Sequence, residues 1–168
     1  MHEPPKKYDP SRASQFVHRV PLWTRTRGPE QYMNDIAQGG YQQVVALQDF
    51  RDPERNQEHP LLRYIGPALG SQGIQVHNLN IKPTQSFSEA GKQDLVRASG
   101  ILADAVRGGT KTAVTCDFGI KRTGRTLYLM HRRLGASHEE ALAHSNPNSD
   151  DVEHLRQLYK TGIAGQKH

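Results

Sequence analysis

Short apolar or alternating runs recur along the chain, and longer segments that carry helix start or stop signals lie between them. The short runs predict strands and the longer segments predict helices. The predicted strands are residues 15–23, 42–47, 73–79 and 111–115. The predicted helices are residues 29–38, 60–69, 86–107, 123–134, 137–143 and 150–159. Because strands alternate with helices, we expect an α/β fold with a mainly parallel central sheet flanked by helices.

Local signals mark where several of these helices begin and end. Pro29 lies near the start of its segment and Gly39 follows its end, which is an arrangement typical of a helix. Ser86 and Glu89 have the spacing of a capping box, and Ser137 is expected to cap a later helix. These signals predict helix boundaries within a single domain.

The length and composition fit one soluble domain. At 168 residues the chain can bury a sizeable core. Residues 1–14 are rich in proline and charge, so we expect a loosely ordered arm before a domain at residues 15–168. The single cysteine excludes an internal disulfide and favours a reducing compartment, which predicts a cytoplasmic protein. No apolar run is long enough to span a bilayer, and the N-terminus lacks the apolar core of a secretory signal.

The charge of the chain limits its partners only broadly. A net charge of +5 favours polyanions, including phosphates, inositol phosphates, anionic lipid heads and nucleic acid. Aromatic residues are not interleaved with basic residues in the pattern of an RNA-binding protein, so we expect no nucleic acid partner. His138 and His144 share a predicted helix but are six residues apart, and we expect no metal or other cofactor. The oligomeric state is left open.

The carboxyl ends of the predicted strands are expected to form the functional edge of the sheet, because ligands of parallel α/β sheets bind there. Three loops would meet at this edge: residues 48–55, residues 80–85, and the loop that begins at Cys116. The candidate side chains near Cys116 are Asp49, Arg51, Asp52, Lys82 and Thr84.

The loop that begins at Cys116 carries the strongest chemical signal. A predicted strand leads into it, a predicted helix leaves it, and Arg122 follows Cys116 after five intervening residues. Loop amides and the positive end of the following helix can together hold a phosphate. Cys116 is the candidate nucleophile, since a thiol at such a position is reactive. Arg122 can grip two phosphate oxygens with its planar fork.

The other residues of the loop complete a candidate phosphate site. Thr123 offers a hydroxyl that can donate to the sulfur of Cys116 when the sulfur must leave. The candidate substrate-binding residues are Asp117, Phe118, Gly119, Ile120 and Lys121. A buried cysteine acting as a small hydrophobe is the alternative, but the charged neighbours of Cys116 do not favour it.

These residues resemble the signature of the cysteine-dependent protein tyrosine and dual-specificity phosphatases: a cysteine, five residues, an arginine, then serine or threonine. The likeness includes the loop glycine, Gly119, and the Arg-Thr-Gly ending at Gly124. Outside the loop it extends as a pattern of strands over residues 16–160. The resemblance implies a phosphatase fold and hydrolysis of a phosphomonoester through a cysteinyl-phosphate intermediate.

The chain departs from this family at two places. Thr115 lies where the family usually has a histidine before the cysteine, and its hydroxyl can supply one of the histidine's hydrogen bonds. The loop at residues 80–86 has no carboxylate, although the family's general acid is usually an aspartate there. The acid could be Asp49, Asp52 or Asp117, or there is none. A general acid typically contributes about 10²–10⁴-fold to the rate.

Three hypotheses follow. The protein is a phosphatase; or it is a phosphate-binding pseudophosphatase that turns over poorly because the acid is missing; or it is another Cys-x5-Arg enzyme, of the rhodanese or arsenate reductase kind. The expected substrates are a phosphorylated protein, phosphotyrosine included, or an inositol phosphate. A multiply phosphorylated substrate is favoured by a basic rim formed by Arg51, Lys82, Lys121 and Arg125.

Overall fold

The computed structural model describes residues 7–22, 26, 28–48, 62–79, 81, 86–116 and 121–166. In these ranges the strands are β1 (Val17–Arg19), β2 (Gln43–Ala46), β3 (Gln75–Asn78) and β4 (Thr112–Thr115). The α-helices are α1 (Pro10–Phe16), α2 (Pro29–Gln38), α3 (Leu62–Ser71), α4 (Glu89–Gly108), α5 (Lys121–Arg133), α6 (His138–Ser145) and α7 (Val152–Gly162). Two 3₁₀ helices, Ser149–Asp151 and Ala164–Gln166, flank α7.

The strands form one parallel sheet in the order β1-β4-β2-β3. β4 lies between β1 and β2, with Val114 opposite both Arg19 and Val45. The helices that connect successive strands pack on the faces of the sheet, as parallel connections require. The predicted α/β fold with a mainly parallel sheet is therefore confirmed.

The core is divided between the two faces of the sheet. Val45 packs in a cluster that contains Leu102 of α4, and its neighbour Val44 packs in a second cluster with Ile36 of α2 and Ile65 of α3. All five of these side chains are completely buried. Adjacent strand residues point to opposite faces, so a strand covered by helices on both sides is apolar at most of its positions.

The N-terminal prediction is corrected by helix α1. Residues 10–14 were expected in a loose arm, and residues 15 and 16 in the first strand, but all of them are helical. The carboxylate of Asp9 accepts a hydrogen bond from the amide of Ser11 and so caps the helix, and Ala13 is buried in the core. β1 begins only at Val17. Residues 1–6 lie outside the described ranges.

The predicted capping box at Ser86 and Glu89 is wrong. Ser88 is the N-cap of α4, and its hydroxyl accepts from the amide of Gly91. Ser86 lies two residues earlier and contacts a different helix instead. The cap predicted at Ser137 is confirmed, since both hydrogen bonds of a capping box join it to Glu140.

Other boundaries agree with the prediction to within a few residues. α2 has the predicted bounds, with Gly39 as its C-cap. α4 ends at a left-handed C-cap, Gly109, whose φ of 69° is a conformation that glycine adopts without strain. Among the helices in the described ranges, none combines the length and the apolar content that crossing a bilayer would need.

Candidate functional site

The site is built where β4 passes into α5. Cys116 follows the last residue of β4 directly and is 3% exposed. α5 begins five residues later and returns the chain so that the Thr123 hydroxyl donates to Sγ of Cys116 at 3.1 Å. The hydroxyl and the thiol that the sequence assigned to the site are therefore in direct contact.

The carboxyl ends of three strands meet beside Cys116, as the sequence predicted for this edge. The amide of Leu47, after β2, donates to the carbonyl of Thr115 at 2.8 Å. The amide of Ile81, after β3, donates to the carbonyl of Leu47 at 3.0 Å. Backbone hydrogen bonds thus continue past the strands and hold together the chain segments that follow β2, β3 and β4.

Arg122 lies within this group of chain segments. It is 4% exposed, and its Nη1 donates to the carbonyl of Ile81 at 2.9 Å. A guanidinium is planar and can hold two oxygens of an anion with a pair of parallel N–H donors. Arg122 and Thr123 are consecutive residues in the first turn of α5, where the positive end of the helix favours a negative group.

The sequence predicted that Arg125, one turn further along α5, contributes to a basic rim of the pocket, and its burial corrects this prediction. It is buried, and its Nε donates to a carboxylate oxygen of Asp151 at 2.7 Å. Its Nη1 donates to Oγ of Ser86 at 2.5 Å, and its guanidinium lies over the ring of Phe87. The Phe87 ring stacks in turn on His154 of α7 at 4.8 Å between centroids. Arg125 therefore joins α5, the start of α4 and the region of α7.

Two arginines of α5 thus contact both chain neighbours of residues 82–85. Arg122 binds the carbonyl of Ile81, before this segment, and Arg125 binds the hydroxyl of Ser86, after it. Residues three apart on a helix lie on the same face. One face of α5 therefore positions both flanks of the segment in which the family usually carries its general acid.

Thr115 makes a buried hydrogen bond on the opposite side of the strand from the thiol. Its Oγ1 is 2.7 Å from the hydroxyl oxygen of Tyr32 in α2. Burial raises the pKa of Tyr32, and the hydrogen bond with Thr115 opposes that shift only in part. The tyrosine is therefore protonated and can donate to Thr115. In this way α2 holds the last residue before Cys116.

We expect Tyr32→Phe to lower the free energy of unfolding by about 1–3 kcal/mol, because the buried Thr115 hydroxyl would lose this partner. Tyr159→Phe is the matched control: its hydroxyl makes no hydrogen bond with the residues described here, so we expect a change within about 0.5 kcal/mol. Urea denaturation followed by circular dichroism measures both. Equal stability of the two variants would show that the Tyr32 contact is not stabilising.

Arg19 is a member of the site region that the sequence did not suggest. It ends β1, and its guanidinium donates to the carbonyl of Ser145 at the end of α6. Burial lowers the pKa of Arg19, and an electrostatic interaction with Cys116 raises it. A cation is therefore close enough to the sulfur to interact with it. The only signal in the sequence was its position in the strand predicted at residues 15–23, and strand periodicity does not indicate which polar group lies opposite.

Several predicted site residues lie outside the described ranges. These are the loop residues Asp117, Phe118, Gly119 and Ile120, the candidate acids Asp49 and Asp52, and the candidate rim residues Arg51, Lys82 and Thr84. Lys121 is described as the exposed first residue of α5. Within the described ranges, no three His, Cys, Asp or Glu side chains are grouped so that they could hold a metal ion.

Comparisons with known proteins bear on the fold. No protein-family model matches the chain, and no curated protein matches it in sequence. A solved structure of kinase associated phosphatase, with its catalytic-site cysteine substituted by serine, superposes with a TM-score of 0.68 at 14% identity, over 90% of this chain and 91% of that chain.

A structure of Tk-PTP in its active form superposes with a TM-score of 0.64 at 18% identity, over 88% of this chain and 94% of that chain. Both alignments cover nearly the whole of each chain, so the likeness concerns the complete fold and not one motif. The chain has the fold of the cysteine-dependent protein tyrosine and dual-specificity phosphatases, as the resemblance in its sequence implied.

Proposed function

We propose that the protein is a cysteine-dependent phosphatase that hydrolyses phosphomonoesters through a cysteinyl-phosphate intermediate. The observation that carries the proposal is the 3.1 Å contact of the Thr123 hydroxyl with Sγ of Cys116, beside the buried Arg122. A nucleophile, a donor to it and a bidentate cation meet at the positive end of one helix.

In the first step the thiolate sulfur of Cys116 attacks phosphorus. The S–P bond forms while the bond from phosphorus to the ester oxygen breaks, and the departing alkoxide takes a proton from a general acid or, without one, from water. The guanidinium of Arg122 and the amides of the loop at residues 117–121 would stabilise the three equatorial oxygens. Charge-assisted hydrogen bonds of this kind are about twice as strong as neutral ones.

In the second step a water oxygen attacks phosphorus, the S–P bond breaks, and inorganic phosphate is released together with the proton that the water gives up. The sulfur leaves with its electron pair as a thiolate. The hydroxyl of Thr123 already points at this sulfur, so its hydrogen bond would stabilise the leaving thiolate. Because the mechanism needs a reduced thiol, a cytoplasmic location belongs to the same proposal.

The proposed substrates are phosphorylated proteins, phosphotyrosine included, or inositol phosphates. The fold likeness to two proteins named as phosphatases supports the class of reaction. The net charge of +5 and the exposed Lys121 beside the site favour substrates with more than one negative charge.

One observation favours the alternative of a weakly active, phosphate-binding pseudophosphatase. Asp151 is the one buried carboxylate in the described part of the chain, and it is engaged with Arg125. Both of its oxygens accept hydrogen bonds from Arg125, at 2.7 and 3.3 Å, so neither is available to protonate a leaving group. A general acid, if the protein has one, would then be Asp49, Asp52 or Asp117.

A series of aryl and alkyl phosphates with different leaving-group pKa values distinguishes these functions. We expect wild type to form a phosphorylated Cys116, detectable after acid quench, and to depend only weakly on the leaving group. One of Asp49→Asn, Asp52→Asn and Asp117→Asn should steepen that dependence by removing the proton donor. The pH–rate profile should fall at high pH in wild type and lose that fall in the same variant.

The other outcomes decide between the hypotheses. A steep dependence in wild type, with a rate that stays flat at high pH, would indicate an enzyme without a general acid. Binding of phosphate analogues with no phosphorylated Cys116 would establish the pseudophosphatase. A phosphorylated residue other than Cys116 would contradict both.

A further inference from the structure

A cavity beside the C-terminal end of α5 has four cations among its eight lining residues. Its volume is about 460 Å³, which is within the ~300–1,000 Å³ range of small-molecule sites. Its charged lining residues are Lys7, Asp9, Arg12, Arg107 and Arg133. Four positive charges therefore face one negative charge around a concave space.

The position of this cavity separates it from the candidate phosphatase site. Arg133 is the last residue of α5, whereas Arg122 and Thr123 lie in the first turn of the same helix. A helix of 13 residues is about 20 Å long at 1.5 Å per residue. Arg107 lies in the last turn of α4, which also ends away from the carboxyl edge of the sheet. The two sites are thus at opposite ends of the molecule.

The arginines are held in place by contacts with one another's elements. Nη2 of Arg107 donates to the carbonyl of Arg133 at 2.8 Å, and Nη2 of Arg12 donates to the carbonyl of Arg107 at 3.3 Å. Nε of Arg133 donates to Oγ of Ser99 at 2.9 Å. The guanidinium of Arg12 also lies over the ring of Phe16 at 5.0 Å. These contacts order the cations in advance, which lowers the entropy cost of binding an anion.

Capping of helix ends explains part of this arrangement but not all of it. Arg12 and Arg107 each use one donor for a carbonyl near the end of a helix, and a guanidinium has five. Lys7 makes no such contact among the described residues, yet it lines the same cavity. Capping therefore does not account for the convergence of four cations.

The negative groups nearby, Asp9 and Asp104, offset only part of the charge of the four cations. The carboxylate of Asp9 accepts from both the amide and the hydroxyl of Ser11, and the latter hydrogen bond lowers the pKa of Asp9. Asp104 forms an exposed ion pair with Arg107, and such pairs are weak. Burial lowers the pKa of Arg133, Asp104 raises it and the positive Arg107 lowers it further. A bound anion would relieve this repulsion between cations.

We propose that this cavity is a second anion site, distinct from the one at Cys116, and that it binds a compound with several phosphate groups. Arginine forks match phosphate oxygens, and the volume exceeds what one phosphate needs. A soluble polyphosphate and a phosphoinositide headgroup share this chemistry. The site does not depend on the proposed phosphatase activity.

Isothermal titration with inositol hexakisphosphate, in a buffer with enough tungstate to occupy the Cys116 site, tests this cavity in wild type and in the double variant Arg12→Gln/Arg107→Gln. We expect the double variant to bind about tenfold or more weakly, since two charge-assisted contacts are lost. The matched control is Arg156→Gln/Lys160→Gln, which removes two exposed charges from α7 and should remain within about twofold of wild type. Hydrolysis of an aryl phosphate should be unchanged in both, so a failure of the proposed function would be seen separately.

Lys7→Gln keeps the test valid if the arginine variants are unstable. Lys7 is exposed, and we expect this variant to fold normally and to bind the probe about threefold more weakly. Equal losses in the cavity variants and the α7 control would show only general charge attraction and would overturn the proposal. Undetectable binding to wild type, or unchanged binding in all variants, would also overturn it.

Vesicles of phosphatidylcholine that contain phosphatidylinositol bisphosphate distinguish the two sources of the phosphates. Sedimentation that is lost in Arg12→Gln/Arg107→Gln would support the site and assign it to a lipid headgroup. Binding of inositol hexakisphosphate without sedimentation would support the site and assign it to a soluble compound.

Discussion

Cys116→Ser should reduce the hydrolysis of aryl phosphates by about 10⁴-fold or more while the protein still binds phosphate analogues. Cys116 is the chain's only thiol, and its sulfur accepts a hydrogen bond from Thr123 at the start of α5. A serine hydroxyl at this place has no base among its described neighbours and is a weak nucleophile. The surrounding donors remain, so binding is expected to survive. Initial rates and titration with tungstate measure the two properties.

The same experiment includes a test of the fold. Serine is close to cysteine in size, so the spectrum by circular dichroism and the unfolding midpoint should change little. If part of the variant is unfolded, a low rate alone does not show that the nucleophile is lost. The amount of tungstate bound then gives the folded fraction to which the rate is referred. Wild-type rates in a folded Cys116→Ser protein would show that the thiol is not the nucleophile.

Asp151→Asn should lower the free energy of unfolding by about 3 kcal/mol. Removing one partner from a buried ion pair costs about 3–5 kcal/mol, because the other charge stays in a medium that solvates it poorly. The side chains of Arg125 and Asp151 are 9% and 11% exposed, so solvent screening is slight. The asparagine oxygen can still accept one hydrogen bond from Arg125, which places the expected loss at the lower end of the range. Urea denaturation measures it.

The neighbouring residue provides the control for this prediction. Asp150 is exposed, so Asp150→Asn makes the same chemical change with the side chain in water and should alter stability by about 0.5 kcal/mol at most. A loss for Asp151→Asn no larger than that of Asp150→Asn would mean that the pair with Arg125 contributes nothing to stability.

The sequence by itself determined the type and order of most elements. β2 is apolar at three of its four positions, and a strand covered on both faces requires this whatever else surrounds it. Pro29 and Gly39 marked the bounds of α2 in the sequence. Proline restricts φ at the start of a helix and glycine favours its end, and both effects are local. The spacing from Cys116 to Thr123 is also local, since one loop and one helical turn bring the hydroxyl to the sulfur.

The cap of α4 shows where a local signal was insufficient. Ser86 and Ser88 both precede Glu89, and the spacing of three residues from Ser86 to Glu89 is that of a capping box, so the sequence favoured Ser86 as the cap. In the structure the hydroxyl oxygen of Ser86 accepts a hydrogen bond from Arg125 of α5, and Ser88 caps α4. A helix end and a distant arginine can compete for the same serine hydroxyl. Tertiary packing decides between them, and the spacing of residues in the sequence carries no information on that packing.

Only the tertiary structure decided the partners of the buried polar residues. Arg125 was expected at the basic rim of the pocket, yet the 3₁₀ helix before α7 brings Asp151 to it across 26 residues of chain. Tyr32 and Thr115 meet across 83 residues, and Arg19 reaches Ser145 across 126. Hydrophobic periodicity indicates which face of an element is buried, because burial depends on residue type. It does not indicate which polar group lies opposite, because that depends on how whole elements cross and pack.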